Sequence, residues 1–326
     1  MTGRERMQKM LNFEPTDRPC HFESTFELGP AAFGRDFPKG ELTDYSGDAL
    51  DHFIGECVEL YANITQTYQW DAILAWRPWC QPDMVAATKK ALGDEIFVGT
   101  MLGENCWCID YICGFHDWMT FAEQLHERPH ELHEHAERMT QNAFEKIDRL
   151  SDAEADFILL VDDVASNAGP FIRPEQFAEF VTPYLQRQVA HIRKRGIIPM
   201  YHSDGNLMPI LDQILTFGAD LLHSIDPMAG MDIAEVKRLT HGKMAIMGNV
   251  QCSILQDGPL EGIRESAEYC LKHASPGSGY VFSNSNSIFY GIPLPHYEYM
   301  LDVFHDFCKT YDGTAPYEAT GSTTGV

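Results

Sequence analysis

The chain has 326 residues, 44% of them hydrophobic, which is enough to bury a large core and excludes a mainly disordered protein. Its 24 Lys and Arg stand against 48 Asp and Glu, and the formal net charge of -24 repels phosphate backbones and anionic membranes, so nucleic acid and membrane are poor partners. Its 9 cysteines are an odd count, single apart from Cys106, Cys108 and Cys113, which argues against a disulfide framework and for a reducing, cytoplasmic setting.

The first dozen residues, MTGRERMQKMLN, are charged and lack the apolar core of an export signal. Met7, Met10 and Leu11 recur at helical spacing and predict a short amphipathic helix that ends before Pro15. No apolar run approaches the roughly 18 residues of a membrane span. Short apolar runs then predict strands at 18–22 before Glu23, at 71–75 before Trp76 and Arg77, and as a pair at 96–100 and 107–111. His126, His130, His133 and His135 alternate with Glu127, Glu131 and Glu134 on a predicted helix, a pattern that ordinarily marks a solvated face rather than a metal site.

From residue 157 onward one pattern repeats: an apolar run, a polar end, an amphipathic helix. The runs are 157–161 ending in Asp162-Asp163, 197–201 ending in His202-Ser203-Asp204, and 219–222 ending in His223-Ser224-Ile225-Asp226. They continue with 243–247 ending in Gly248-Asn249 and 279–282 ending in Ser283-Asn284-Ser285-Asn286. The expected helices span Pro174 to about Arg195, a segment stopping at Gly218, one from about Asp232 to Gly242, one from about Leu260 to His273, and His296 to Lys309. Alternating strands and helices require parallel pairing through right-handed crossovers. With no Gly-rich phosphate loop and seven or eight strands, the pattern predicts a (β/α)8 TIM barrel, α/β in class, a single domain over 1–326 with a short N-terminal helical extension. The small polar tail beyond Ala315 is expected to fray.

In such a barrel the carboxyl ends of the strands share one face. Asp162, Asp163, His202, Asp204, His223, Asp226, Asn249, Ser283 and Asn284 are then neighbours in space. Alternation along a strand sends only one of Asp162 and Asp163 inward. Asp204 before Gly205 is equally a turn or helix cap, and His223 with Asp226 equally a core histidine with a cap, whereas His202 has no capping preference. Cys252 has no neighbouring cation to lower its pKa and reads as a small buried residue.

The order DDVA, HSDGN, IDPMAGMD, GNV and GYVFS resembles the uroporphyrinogen decarboxylase superfamily, and within it the methyltransferase branch that serves corrinoid proteins. The resemblance runs from MTGRERM and DRP to the last helix and is strongest over 162–291. The decarboxylases carry an arginine-rich RQAGRY-type segment after the first strand for a polyacid tetrapyrrole, but here it reads HFESTFEL, whose carboxylates cannot pair with substrate carboxylates. The methyltransferases hold zinc with a His-x-Cys pair and a later cysteine. Here His202 matches the histidine, Asp204 stands at the cysteine position, and Ser283, Asn284 and Ser285 stand near the later one.

The resemblance implies methyl transfer between a small O- or N-methyl donor, such as a methoxylated aromatic, and a corrinoid carried by a partner protein, or onward from it to an acceptor. His202, Asp204, Asp162 and Asp163 are the implied catalytic residues, with zinc held by His202, Asp204 and Glu23. Glu23, Trp76, His223, Asp226, Asn249, Ser283, Asn284 and Tyr290 are the implied substrate contacts, and Trp79, Trp107 and Trp118 are further candidates for an aromatic pocket. The expected partners are a corrinoid protein and a small methyl donor or acceptor, with a homodimer as the assembly. A decarboxylase with an altered substrate and a non-catalytic ligand-binding barrel are the competing readings.

Overall fold

The apolar run Phe157-Ile158-Leu159-Leu160-Val161 forms a strand with its first four residues buried. A strand covered on both faces has no polar side to alternate with, so its sequence is continuously apolar, and each such side chain adds about 1.5–3 kcal/mol. The computed structural model describes residues 1–78, 80–103 and 118–318, and it sets this strand among seven others. They are β1 (Cys20–His21), β2 (Ala72–Leu74), β3 (Phe97–Leu102), β4 (Phe157–Val161), β5 (Ile198–His202), β6 (Leu221–His223), β7 (Ala245–Val250) and β8 (Tyr280–Asn284).

Every neighbouring pair is parallel, in the order β1-β8-β7-β6-β5-β4-β3-β2. The Asp71 N–H donates to the His21 carbonyl at 2.8 Å across the seam between β1 and β2, and the Asp71 carboxylate accepts from the His21 N–H at 2.8 Å. Helices follow the strands, and the result is the (β/α)8 TIM barrel that the repeat predicts.

The N-terminal helix, Gly3–Leu11, is capped by Thr2 and Glu5 and turns Met7 and Met10 into the core. It closes the amino-terminal end of the barrel with ion pairs. Arg4 meets Asp156 at 2.7 Å beside Lys89 at 2.6 Å, while buried Asp71 pairs with Arg6 and, at 2.7 Å, with Arg18.

Two expected elements differ, and one element appears that the sequence does not predict. The helix expected from Pro174 to Arg195 is two, Pro174–Phe180 and Thr182–Lys194, because Pro183 has no N–H and its ring crowds the carbonyl four residues before it. The segment before Gly218 holds only a 3₁₀ turn, Met208–Ile210, and the short helix Leu211–Ile214. A small antiparallel hairpin, Ala165–Ser166 with Gly169–Pro170, follows β4 where no strand is expected. The run 107–111 lies outside the described residues. His126, Glu127, His130 and Glu134 are exposed, and among the described residues no helix is long and apolar enough to cross a membrane.

Candidate active site

His202 is the last residue of β5, and the chain turns sharply after it. Gly205 makes the turn possible, since its φ is +85° and a Cβ there would stand 2.4 Å from the Ala165 carbonyl oxygen. Capping falls to Asn206, whose Oδ1 accepts the Met208 N–H at 3.1 Å. Asp204 is thereby free to face the site, where its Oδ1 accepts from Ser224 Oγ at 2.8 Å and its Oδ2 from the Asn286 amide.

Three ligand-type side chains converge there. His202 Nε2 lies 3.6 Å from Asp163 Oδ1 and 3.9 Å from Asp204 Oδ1, and the Asp204 N–H donates to Asp163 Oδ1 at 3.0 Å. Among the described residues, Asp163, His202 and Asp204 form the only group with three metal-ligand atoms within 4.8 Å of one another. Of the acidic pair, Asp163 is the one brought to this group, while Asp162 is fully buried at the end of β4 and its N–H donates to the His202 carbonyl at 3.0 Å. Burial raises the Asp204 pKa, partly offset by His202 and reinforced by Asp163.

The other face of the His202 ring is fixed by His223. Their Nδ1 atoms are 2.8 Å apart and the rings stack at 4.8 Å, so one nitrogen donates and the other accepts. Complete burial, reinforced by His202, holds His223 well below the usual imidazole pKa and keeps it neutral. Sequence reasoning placed His223 as a substrate contact or a core histidine, and the geometry makes it the support of His202.

Glu23 falls outside the three-residue group. It is fully buried, and its Oε2 accepts from Ser283 Oγ at 2.6 Å and from the Asn284 N–H at 3.0 Å, while Oε1 has no hydrogen-bond partner. Burial pushes its pKa up to about 8 against the two hydrogen bonds. A chain of hydrogen bonds links it to the first group: Asn284 Oδ1 accepts the Asn286 N–H at 3.2 Å, and the Asn286 amide reaches Asp204. Ser224 and Asn286 were not singled out from the sequence. Both sit beyond their strand ends, where only closure of the barrel carries them to Asp204.

Asp226 serves two roles, accepting the Met228 N–H at 2.8 Å as a cap and lining a cavity of about 670 Å³ with Asp163, Asp204, Ser166, Asn167 and Phe171. Other expected contacts are engaged elsewhere. Asn249 is buried and donates to the Ile225 carbonyl at 2.7 Å, which holds the loop after β6. Tyr290 is exposed and its hydroxyl bonds Asp36. Trp76 is buried against Phe37, with the Arg77 guanidinium 4.9 Å above its ring. The side chains of Trp79, Trp107 and Trp118 lie outside the described residues. Cys252 is a buried small residue, its thiol pushed up to about 11 by burial.

A parallel barrel with a histidine and carboxylates gathered at the carboxyl ends of its strands has the architecture of a TIM-barrel enzyme superfamily. The chain belongs to the uroporphyrinogen decarboxylase (URO-D) family, whose model matches residues 82–307. It is 27% identical over 229 residues to a uroporphyrinogen decarboxylase of Anaeromyxobacter dehalogenans, covering 69% of this chain and 63% of that protein. A Coxiella burnetii uroporphyrinogen decarboxylase is 25% identical over 232 residues, covering 69% of this chain and 62% of the relative. The alignment thus spans less than two thirds of the length of these relatives. Among solved structures, a methyltransferase from Methanosarcina mazei superposes with a TM-score of 0.74 at 16% identity, covering 94% of this chain and 99% of that one. A GH5_18 protein from Streptomyces cattleya in complex with GlcNAc superposes with a TM-score of 0.55 at 13% identity, covering 93% and 83%. At these identities both likenesses speak to the barrel fold.

Proposed function

We propose that this chain is a methyltransferase that moves a methyl group between a small O- or N-methyl donor and a corrinoid carried by a partner protein, or from that corrinoid to an acceptor. The observation that carries the reading is the grouping of His202, Asp163 and Asp204, with an aspartate at the thiolate position of the family's His-x-Cys pair. The barrel of the Methanosarcina mazei methyltransferase, which covers nearly the whole chain, agrees with it. The curated relatives are named decarboxylases, but a polyacid substrate needs cations. The described cavity lining holds Asp163, Asp204 and Asp226 and neither lysine nor arginine.

The three side chains fit a divalent metal ion. Ligands about 2.0–2.2 Å from a tetrahedral zinc lie about 3.3 Å apart, close to the 3.6 and 3.9 Å separations here. Outer partners are also in place: His223 on His202 Nδ1, and Ser224 and Asn286 on Asp204. Oxygen ligands make this a harder set than the thiolate one and favour Lewis-acid chemistry on a departing oxygen or nitrogen over thiol activation.

The chain's own groups do the rest. Glu23, neutral up to about pH 8, holds a proton for a departing alkoxide or phenoxide. Ser283 and the Asn284 N–H orient its carboxyl, and Asn286 couples it to Asp204.

The test is methylation of cob(I)alamin, followed by its visible spectrum, with methoxylated aromatics and methylamines as donors. Methylation with at least one donor, lost in His202→Ala, is the expected result. Carbon dioxide release from a porphyrinogen without cobalamin methylation overturns the reading in favour of the decarboxylase.

A further inference from the structure

Ile225 is fully buried with a φ of +57°, a left-handed conformation that β-branched side chains rarely adopt. A residue keeps such a conformation only where its surroundings impose it, and residues of this kind concentrate at functional sites. Its two neighbours give the conformation a use. Ser224, one residue before, donates to Asp204 Oδ1 at 2.8 Å, and Asp226, one residue after, lines the active-site cavity.

The constraint comes from the end of β7. Gly248 approaches so closely that a Cβ there would stand 2.5 Å from the Ser224 carbonyl oxygen. Buried Asn249 follows, and its amide nitrogen donates to the Ile225 carbonyl at 2.7 Å and to the Met231 carbonyl at 3.4 Å, the two ends of one loop. Within that loop the Asp226 carbonyl accepts from the Ala229 and Met231 N–H groups, both at 3.1 Å, so the segment is tied to itself as well. The amide is fixed from behind, its Oδ1 accepting from Cys270 Sγ at 3.2 Å. Both amide hydrogens are thereby spent on the protein and not on a substrate.

We propose that Asn249 is a positioning residue of the active site: by tying Ile225 to Met231 it holds Ser224 on Asp204 and Asp226 at the cavity wall. Its effect on a metal at His202, Asp163 and Asp204 rests on the proposed function, whereas its effect on the place of Ser224 does not. Without the amide, Ile225 is free to return to a negative φ, and that rotation carries the Ser224 hydroxyl away from Asp204. Asp204 then keeps the Asn286 amide as its side-chain donor.

Asn249 also lines a second cavity, of about 470 Å³, through which water can reach the carbonyls that its truncation uncovers, so Asn249→Ala is expected to fold. Should it not, Asn249→Ser, whose hydroxyl is too short to span both carbonyls, serves the same purpose. Crystal structures of wild type and variant give the first reading. The separation of Ser224 Oγ from Asp204 Oδ1 is expected to open from 2.8 Å to beyond hydrogen-bond reach, and an unmoved Ser224 overturns the proposal. With Co²⁺ as a visible probe of the triad, the variant is expected to shift the ligand-field bands, which a loss of stability alone leaves in place. Equilibrium dialysis with Zn²⁺ completes the test. Asn249→Ala and Ser224→Ala are each expected to weaken binding about tenfold, and the double variant also about tenfold rather than the about 100-fold of independent effects. Additive losses, or bands at their wild-type positions, overturn it. A wild type that takes up neither ion and methylates no cobalamin removes the proposed function instead, and the Ser224 separation still decides the positioning.

Discussion

Replacing Glu23 by glutamine removes a buried ionisable group while keeping an oxygen to accept from Ser283 and Asn284. The wild-type carboxyl is raised from 4.5 to about 8, with burial as the main cause. The folded state therefore holds this proton more tightly than the unfolded chain does. Its contribution to stability is complete below about pH 4.5, falls as pH rises, and is lost once pH passes about 8. At about 1.4 kcal/mol per unit, the whole window amounts to about 5 kcal/mol, of which about 2 kcal/mol falls between pH 6 and pH 8. Urea midpoints of the wild type and of Glu23→Gln, measured across that interval, should diverge by about that amount, with the wild type losing more. Parallel curves would refute the claim that the carboxyl is neutral in the folded protein. The same variant should slow transfer from an O-methyl donor about 100-fold, where the leaving oxygen needs a proton.

Gly205→Ala combines a φ of +85° with a Cβ 2.4 Å from the Ala165 carbonyl oxygen, and we expect a loss of about 2–4 kcal/mol in thermal or chemical melts together with loss of activity. Asp71→Ala takes from Arg18 its carboxylate partner and leaves Arg6 with Asp17 alone at the barrel's amino-terminal end, and should cost about 3 kcal/mol, read as a lowered denaturation midpoint. Asn286→Ala removes one of two side-chain donors to Asp204; if the triad holds a metal, affinity measured by equilibrium dialysis with Zn²⁺ should fall about 10–100-fold while the fold, followed by circular dichroism, is unchanged.

The barrel was legible because its strands announce themselves as apolar runs with polar ends. The run from Phe157 is observed to the residue, and the later ones are displaced by one to three positions. What could not be read was local compensation. Pro183 divides a helix whose hydrophobic period continues through it, and the hairpin at 165–170 has too few residues to carry a strand pattern. Of the candidate site, His202, Asp204 and Asp163 stand together, whereas Asn249 and Tyr290 share their polar character yet bond other parts of the protein. A side chain's type and its distance from a strand end do not determine its rotamer, and the rotamer decides whether it faces the cavity.

The pairing of Cys20 with Val281 and of His21 with Phe282 sets a timetable for synthesis. The first strand cannot find its long-term neighbour until roughly 260 further residues have been made, which takes on the order of tens of seconds at about 5–20 residues per second. Throughout that interval Cys20 and Phe22, both buried in the finished molecule, must be kept from other apolar surfaces on or off the ribosome. Once the chain closes, the charged residues before them clamp that stretch in place through Arg4–Asp156, Arg6–Asp17 and Arg18–Asp71.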